Sequence, residues 1–222
     1  MNVRMLVLVS IVALAGPAGA APSQAAGPAA DDGLVAVRSR HLDEFYLRPN
    51  ADLSGFRSVM IEPVTVEFRK DWLRDMNETR SVTRRLVPDD ARRIADAAAA
   101  SMGARVADAF RARGFEIVTA PGAGVLRLSP AVADLDVYAP DVPSPGITRS
   151  YTRDAGEATL LLEARDAATG ALLVRVTDRN TAREIGRINR STSVSNDLWF
   201  DTMFRQWAAN CASEIVAIRD RP

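Results

Sequence analysis

Cysteine, histidine and lysine are almost missing from the 222-residue chain, which has one of each. The single cysteine, Cys211, excludes an intramolecular disulfide and a CxxC redox pair. The single histidine, His41, has no metal-ligand spacing around it, so the usual zinc and Cys-His sites are excluded as well. We therefore expect His41 to be an ordinary surface residue, and the sequence predicts no metal site and no cofactor.

An excess of charge of either sign is also missing, because 28 basic residues balance 28 acidic ones. A net charge near zero provides no overall attraction to nucleic acid or to an anionic membrane. The glycine-containing stretch 120–124 lacks the lysine of a phosphate-binding P-loop and precedes a predicted strand rather than a helix. The sequence thus predicts no nucleic acid partner and no nucleotide site.

Long hydrophobic runs are missing beyond the first 20 residues. In that segment Arg4 precedes an apolar run over 5–14, and residues 18–20 form an A-x-A cleavage signal. The run is shorter than the ~20 residues that span a bilayer. We therefore predict a signal peptide over 1–20, and a mature chain that is exported and does not span the membrane. Because Ala21 follows the cleavage site, we expect no lipid attachment there.

Composition changes sharply after the leader. Residues 21–32 are rich in alanine, proline and glycine and contain no large apolar side chain. This composition predicts a flexible tether, which we extend over 21–40 because apolar anchors begin at Leu42. The remainder, 41–222, is predicted to be a single domain with a hydrophobic core.

Three segments have the pattern of β-strands. Alternating apolar residues predict a strand over 58–68, in which Pro63 marks a bulge or an edge position. Residues 115–118 and 125–140 follow later in the chain, and a Pro-Gly loop separates them. We interpret these two segments as strands joined by that loop.

Two segments have the pattern of amphipathic helices. The first begins near Pro88 and ends before Gly114. The second has Ser195 or Asn196 as its N-cap and continues to the C-terminus. The apolar stripe of the first contains Ile94, Ala98, Met102, Val106 and Phe110. The stripe of the second contains Phe200, Phe204, Trp207, Cys211, Ile215 and Ile218. Cys211 is therefore expected to face the core.

The stretch 156–180 has carboxylates within an apolar sequence, namely Glu157, Glu163, Asp166 and Asp178. Apolar residues alternate with polar ones on both sides of a short DAATG turn, which predicts a β-hairpin. Asp166 can accept hydrogen bonds from turn amides, and Gly170 can adopt a positive φ. We therefore interpret these carboxylates as structural rather than catalytic.

Two further polar groups are candidates for chemistry. Asp134 and Asp136, two residues apart, would share one side of a strand and could bind calcium or form a carboxylate dyad, although no further calcium ligands follow. Arg179, Arg183, Arg187 and Arg190 recur every three or four residues. They would align on a helix and clamp an anion or contact a partner, whereas Gly186 and the Ser/Thr-rich tail favour a solvated loop.

Four stretches resemble a bacterial family known as domain of unknown function 3313, whose members are exported envelope proteins and often lipoproteins. These stretches are 42–66, 115–135, 156–179 and 199–208. The resemblance implies a Gram-negative periplasm. It implies no catalytic residues, because the family has no established activity. The chain differs from the lipoprotein members in lacking the lipid-bearing cysteine.

We expect an α+β domain with a mostly antiparallel sheet of about five strands and two amphipathic helices packed on one face. For function we expect an exported, periplasmic, non-catalytic envelope protein that serves as a binding or assembly module, with an envelope protein or a lipid as its partner. One alternative is a carrier of a lipid or an anionic small molecule, in which the arginines contact the head group. The second alternative is a hydrolase that uses Asp134 and Asp136.

Overall fold

The computed structural model describes residues 32–78, 80–138, 154–183 and 193–221. Among these residues, one sheet contains eight strands. In chain order they are Val35–Ala36 (β1), Glu44–Leu47 (β2), Ser58–Ile61 (β3), Thr65–Phe68 (β4), Glu116–Val118 (β5), Val125–Val137 (β6), Asp154–Asp166 (β7) and Leu172–Arg183 (β8). The helices are Trp72–Glu78 (α1), Pro88–Arg111 (α2) and Ser193–Arg219 (α3), and a short 3-10 turn lies at Val82–Arg84.

The chain forms a single α+β domain, as predicted, but the prediction of a mostly antiparallel sheet of about five strands is wrong. The order is β1-β2-β8-β7-β6-β3-β5, and β4 also pairs with β6. Along the order from β1 to β6 each strand is antiparallel to the next, whereas β3 pairs in parallel with both β6 and β5, and β4 pairs in parallel with β6. The parallel part arises because α2 carries the chain back before β5 begins, and parallel strands require such a crossover.

The predicted strand over 58–68 forms two strands that share one neighbour. β3 aligns Ser58 with Val125 of β6, and β4 aligns Thr65 with Ala131 farther along the same strand. Pro63 lies between them, and a proline has no backbone N–H to donate. The single strand predicted over 58–68, with a bulge or an edge position at Pro63, is thus replaced by two strands with a break at Pro63.

Strands β5 and β6 exist as predicted, but the loop between them does not make them neighbours. Both pair in parallel with β3, which lies between them in the sheet. The loop returns the chain to the start of β3, where the carbonyl of Gly124 accepts hydrogen bonds from the amides of Arg57 and Ser58. Gly124 has a φ of +71° at this crossing.

The hairpin predicted over 156–180 is confirmed by the pairing of β7 with β8. The carboxylate of Asp166 accepts hydrogen bonds from the amide of Ala168 and the hydroxyl of Thr169. Gly170 closes the turn with a φ of +76°. Alternation along β7 buries Leu160 and Leu162, as the pattern requires.

The two long helices are confirmed, with one change of boundary. Helix α2 begins at Pro88, and its C-terminal half buries Met102, Val106 and Phe110. Helix α3 begins at Ser193, two residues before the earlier of the two predicted caps. All six residues of its predicted stripe are buried, including Cys211. Helices α2 and α3 pack against each other, with α2 on β3, β4 and β5 and α3 on β7 and β8.

The folded part of the chain includes residues from the predicted tether. Val35 and Ala36 pair with β2, and Leu34 is buried. The remainder of that tether, 21–31, and the predicted signal peptide, 1–20, lie outside the described residues. None of the helices in the described ranges has the length and apolar character needed to cross a bilayer.

Candidate interaction surface

The sheet has two faces with different surroundings. Inward residues such as Leu160 and Val176 are fully buried beneath the helices. Residues that alternate with them point the other way, away from α2 and α3. We call this side the outer face. The residues on it that matter below are Ala131, Ala133, Tyr138, Glu157, Thr159, Leu161, Thr177 and Arg179.

The middle of the outer face carries no charge. Leu161 of β7 lies opposite Ala131 of β6 on one side and opposite Thr177 of β8 on the other. In the next row Thr159 lies opposite Ala133 of β6 and opposite Arg179 of β8, so the charge begins at the β8 end of that row. The five uncharged side chains are all half-buried. Because most of them are small, another surface could approach this band closely.

A network of charges borders the band at one end. Glu163 accepts hydrogen bonds from Arg165 Nη2 and Arg175 Nη2, each at 2.8 Å. Burial acts to raise the pKa of Glu163, but the bonds from Arg175 and Arg165 outweigh burial and lower that pKa. Arg175 also pairs with Asp32, where the described chain begins. Glu163 is therefore held ionised between two cations.

A second charged group borders the band at the other end. Arg179 Nη2 donates to Glu157 Oε1 at 2.6 Å. This bond is the main cause of a raised pKa for Arg179, and the negative charge of Asp134 contributes as well. Tyr138 belongs to the same group, and it is one of the few large, partly apolar side chains that are exposed, at 40%. The end of the outer face thus presents an aromatic ring beside an exposed guanidinium.

Neither the solvated loop that the sequence favoured for the four arginines nor the alternative helix describes the first two. Arg179 and Arg183 both lie in β8, where four residues span about 13 Å. Arg183 is aligned with Asp154, and its side chain is outside the described part. Arg187 and Arg190 lie outside the described residues altogether. Of the four predicted contacts, the structure thus places the side chain of Arg179 alone, on the outer face.

The predicted pairing of Asp134 with Asp136 is interrupted by a bulge in β6. Asp134 has a φ of +50° and is exposed. Asp136 instead accepts a hydrogen bond from Arg69 Nε at 2.8 Å, and Arg69 also pairs with Asp75. Within the described ranges, no three His, Cys, Asp or Glu side chains are grouped so that they could hold a metal ion.

The two rare residues have ordinary surroundings. His41 is exposed, and its backbone carbonyl accepts a hydrogen bond from Asn210 of α3. Cys211 is 1% exposed in the core. Burial raises the pKa of its thiol far above the usual value, and the charge of Asp178 adds to this shift. A thiol in this environment is a poor nucleophile.

Asp178 is buried, although the predicted alternation did not assign it to the inward side of the hairpin. It continues the inward series of Leu172, Val174 and Val176, and it is 6% exposed. Its carboxylate accepts hydrogen bonds from Trp207 Nε1 at 2.6 Å and from the amide of Asp43 at 2.9 Å. Burial raises its pKa despite both bonds. Extending the period of two by one step would have predicted this position.

Comparison with curated proteins finds no match to the chain. Among solved structures, the chain is similar to a PelC dodecamer from Paraburkholderia phytofirmans that carries a point substitution. The two are 15% identical with a TM-score of 0.41, and the match covers 77% of this chain and 97% of that one. It is also similar to protein XCC0632 from Xanthomonas campestris, with 9% identity and a TM-score of 0.44. That match covers 78% of this chain and 90% of the other. A third similar structure is a putative neuraminyllactose-binding hemagglutinin homolog from Helicobacter pylori, with 12% identity and a TM-score of 0.36. That match covers 74% of this chain and 84% of the other.

A family model matches most of the chain. The match extends over residues 24–211 and includes every strand and most of α3. The description of that family is "Protein of unknown function (DUF3313)". The resemblance inferred from the four sequence stretches is therefore confirmed, and the chain belongs to the DUF3313 family.

Proposed function

We propose that the protein is an exported, non-catalytic binding module of the bacterial envelope, and that it docks another envelope protein through the outer face of its sheet. The leader over 1–20 supports export, and the family resemblance supports a periplasmic location. The domain then works beyond the inner membrane as a recognition or assembly component.

The observation that carries this proposal is the arrangement of the outer face. An uncharged band around Leu161 lies between two charged groups, centred on Glu163 and on Arg179. Specific protein interfaces have this anatomy, with a core depleted in charge and a polar rim. Tyrosine and arginine are enriched among the residues that dominate binding energy, and Tyr138 and Arg179 lie together at the rim.

The chemistry of the outer face restricts the partner. The band is flat because its central residues alternate along extended strands and are mostly small. A complementary surface therefore places small apolar side chains against Leu161. It also offers a carboxylate or carbonyl to the exposed guanidinium of Arg179, which is 62% accessible. A folded protein surface provides both features at once.

The surroundings of the candidate catalytic groups support a non-catalytic role. Asp136 is held by Arg69, and Glu163 is held by two arginines. Cys211 is buried, with a pKa raised by that burial. A general acid or base needs access to its substrate and a pKa near the working pH. Asp178 has a raised pKa, but it is buried beneath Trp207.

Site-specific photocrosslinking in intact cells tests the proposal. A photoreactive amino acid replaces Thr177 or Thr159 of the outer face in the full-length chain. The matched control replaces Val82, which is 79% exposed on the 3-10 turn. We expect one discrete crosslinked protein from both outer-face positions and none from position 82.

Mass spectrometry of the adduct separates the outcomes. The same envelope protein captured at both outer-face positions, and lost when Arg179 is changed to Glu, supports the proposal. Adducts with a second copy of this chain would show that the outer face mediates self-association and does not bind a different protein. Equal yields from the outer face and from position 82 would contradict a docking surface there.

A further inference from the structure

A groove between α2 and α3 lies on the opposite side of the molecule from the outer face. It has a volume of about 290 Å³ and is open to solvent. Its lining comprises Arg105, Asp108 and Ala109 of α2 with Arg205 and Ala209 of α3. None of these residues belongs to the proposed docking surface.

Two alanines make room for the groove. Ala109 and Ala209 lie at its floor, one from each helix, and both are half-buried. A longer apolar side chain at either position would fill the space between the helices. The floor is therefore a short apolar surface between charged walls.

The walls are two arginines that share one carboxylate. Asp201 Oδ1 accepts hydrogen bonds from Arg105 Nε at 2.7 Å and Ser101 Oγ at 2.9 Å. Asp201 Oδ2 accepts from Arg205 Nη2 at 2.8 Å. Each guanidinium has five N–H donors, so most of these donors remain beyond those used on Asp201. Asp201 thus fixes both guanidiniums in place while neutralising only one positive charge.

Positive charge exceeds negative charge in the immediate surroundings of the groove. The arginines at or beside it are Arg105, Arg111, Arg113 and Arg205, and the acids are Asp108 and Asp201. Asp108 lies 3.2 Å from Arg111 and 3.6 Å from Arg105. Arg113 donates to the neutral hydroxyl of Ser213, so its charge is not balanced there. Arg105 and Arg205 balance Asp108 and Asp201 in the groove itself, and the excess of two positive charges comes from Arg111 and Arg113 beside it.

We propose that this groove binds a phosphate group, with Arg105 and Arg205 as its two donors. A planar guanidinium binds phosphate oxygens through paired N–H groups. A tetrahedral phosphate can accept such pairs from two directions, which suits arginines from two different helices. The part of the ligand next to the phosphate would lie on Ala109 and Ala209. Either inorganic phosphate or a phospholipid head group supplies this chemistry.

Two binding measurements at low salt test the site and distinguish the sources. The first is isothermal titration of the purified mature chain with sodium phosphate. The second is co-sedimentation with phosphatidic acid vesicles, with phosphatidylcholine vesicles as the comparison. The variants are Arg205→Gln, which removes one donor, and Ala209→Leu, which fills the floor. Arg92→Gln is the matched control, because Arg92 is 73% exposed on α2 and pairs with Asp89 instead.

We expect saturable binding of at least one probe, weakened about tenfold or more by Arg205→Gln and by Ala209→Leu but unchanged by Arg92→Gln. Saturable binding of inorganic phosphate identifies a free phosphate site. Binding of phosphatidic acid vesicles alone identifies a head-group site. Absence of binding by both probes, or equal binding by all four proteins, would overturn the proposal. Circular dichroism of each variant checks that the helices are retained.

Discussion

Trp207 of α3 donates its indole N–H to the carboxylate of Asp178 of β8 at 2.6 Å, and both side chains are buried. The same carboxylate accepts the amide N–H of Asp43, just before β2. One buried acid thereby connects the hairpin, the start of β2 and the C-terminal helix. Its role is structural, because all of these partners belong to the fold.

Removing the Asp178 carboxylate should leave two buried donors unsatisfied. We expect Asp178→Ala to lower the free energy of unfolding by about 3 kcal/mol, since each orphaned donor loses its partner without regaining water. Urea unfolding followed by tryptophan fluorescence measures this change. The control is Glu67→Ala on the exposed side of β4, for which a change within about 0.5 kcal/mol is expected. A similar, small effect of both variants would refute the structural role.

The raised pKa of Asp178 predicts a distinctive pH dependence. Burial raises the pKa above 3.8, and the neighbouring charge of Asp43 adds to the shift. The folded chain therefore holds the Asp178 proton to a higher pH than the unfolded chain. The part of the stability that depends on this proton is present in full below pH 3.8 and is lost as the pH rises through the folded pKa, whereas the hydrogen bonds from Trp207 and Asp43 remain.

Asp178→Asn removes this titration while keeping a side chain of the same shape. The free energy of unfolding of the wild type, relative to this variant, should therefore fall as the pH rises from about 4 and then become constant. Unfolding curves of both proteins over a series of pH values provide the comparison. A relative stability that increases with pH would show that the carboxylate is stabilised, not destabilised, by its surroundings.

Gly156 occupies a position that no other residue fits. Its φ is +153°, and an added Cβ would lie 2.8 Å from the ring of Phe200 and would collide with the carbonyl of Asp136. We expect Gly156→Ala to lower the free energy of unfolding by about 3 kcal/mol, because backbone must move to relieve the collision. Gly170→Ala is the control. Its Cβ would meet open space, so the backbone strain at φ +76° should cost only about 1 kcal/mol. Equal losses would show that φ, not the contact, limits position 156.

Export predicts a defined N-terminus. If residues 1–20 are removed by signal peptidase, the mature chain begins at Ala21 and carries no lipid. Intact-mass measurement of the protein from an osmotic-shock fraction checks both statements together. A mass that retains the leader, or one increased by acyl chains, would contradict this account of export.

The sequence predicted the local elements well because their patterns are local. The alternation in 156–180 predicts the hairpin, and the fourfold spacing from Ile94 to Phe110 predicts α2. The arrangement of strands was not predictable in the same way. Whether β5 lies beside β6 or beside β3 depends on where α2 packs, and no single segment encodes that contact.

The candidate surface was predictable only in part. Arg179 was a predicted contact residue, and that role stays a prediction. The sequence favoured a solvated loop for the arginines over a helix, whereas Arg179 and Arg183 lie in strand β8. The uncharged band around Leu161 follows from the register of three strands, which the sequence does not specify on its own. The α2–α3 groove likewise depends on which helix faces meet, because Asp201 and Arg105 are 96 residues apart.

The most direct test of the docking surface is the native size of the complex that contains the protein. Leu161→Arg places a long cation in the uncharged band, and Val82→Arg makes the same chemical change on the 3-10 turn. Light scattering after size exclusion of gently extracted envelopes compares both variants with the wild type. Our account predicts one larger complex for the wild type and for Val82→Arg, and a free monomer for Leu161→Arg. A wild-type monomer, or a complex that Leu161→Arg leaves intact, would contradict it.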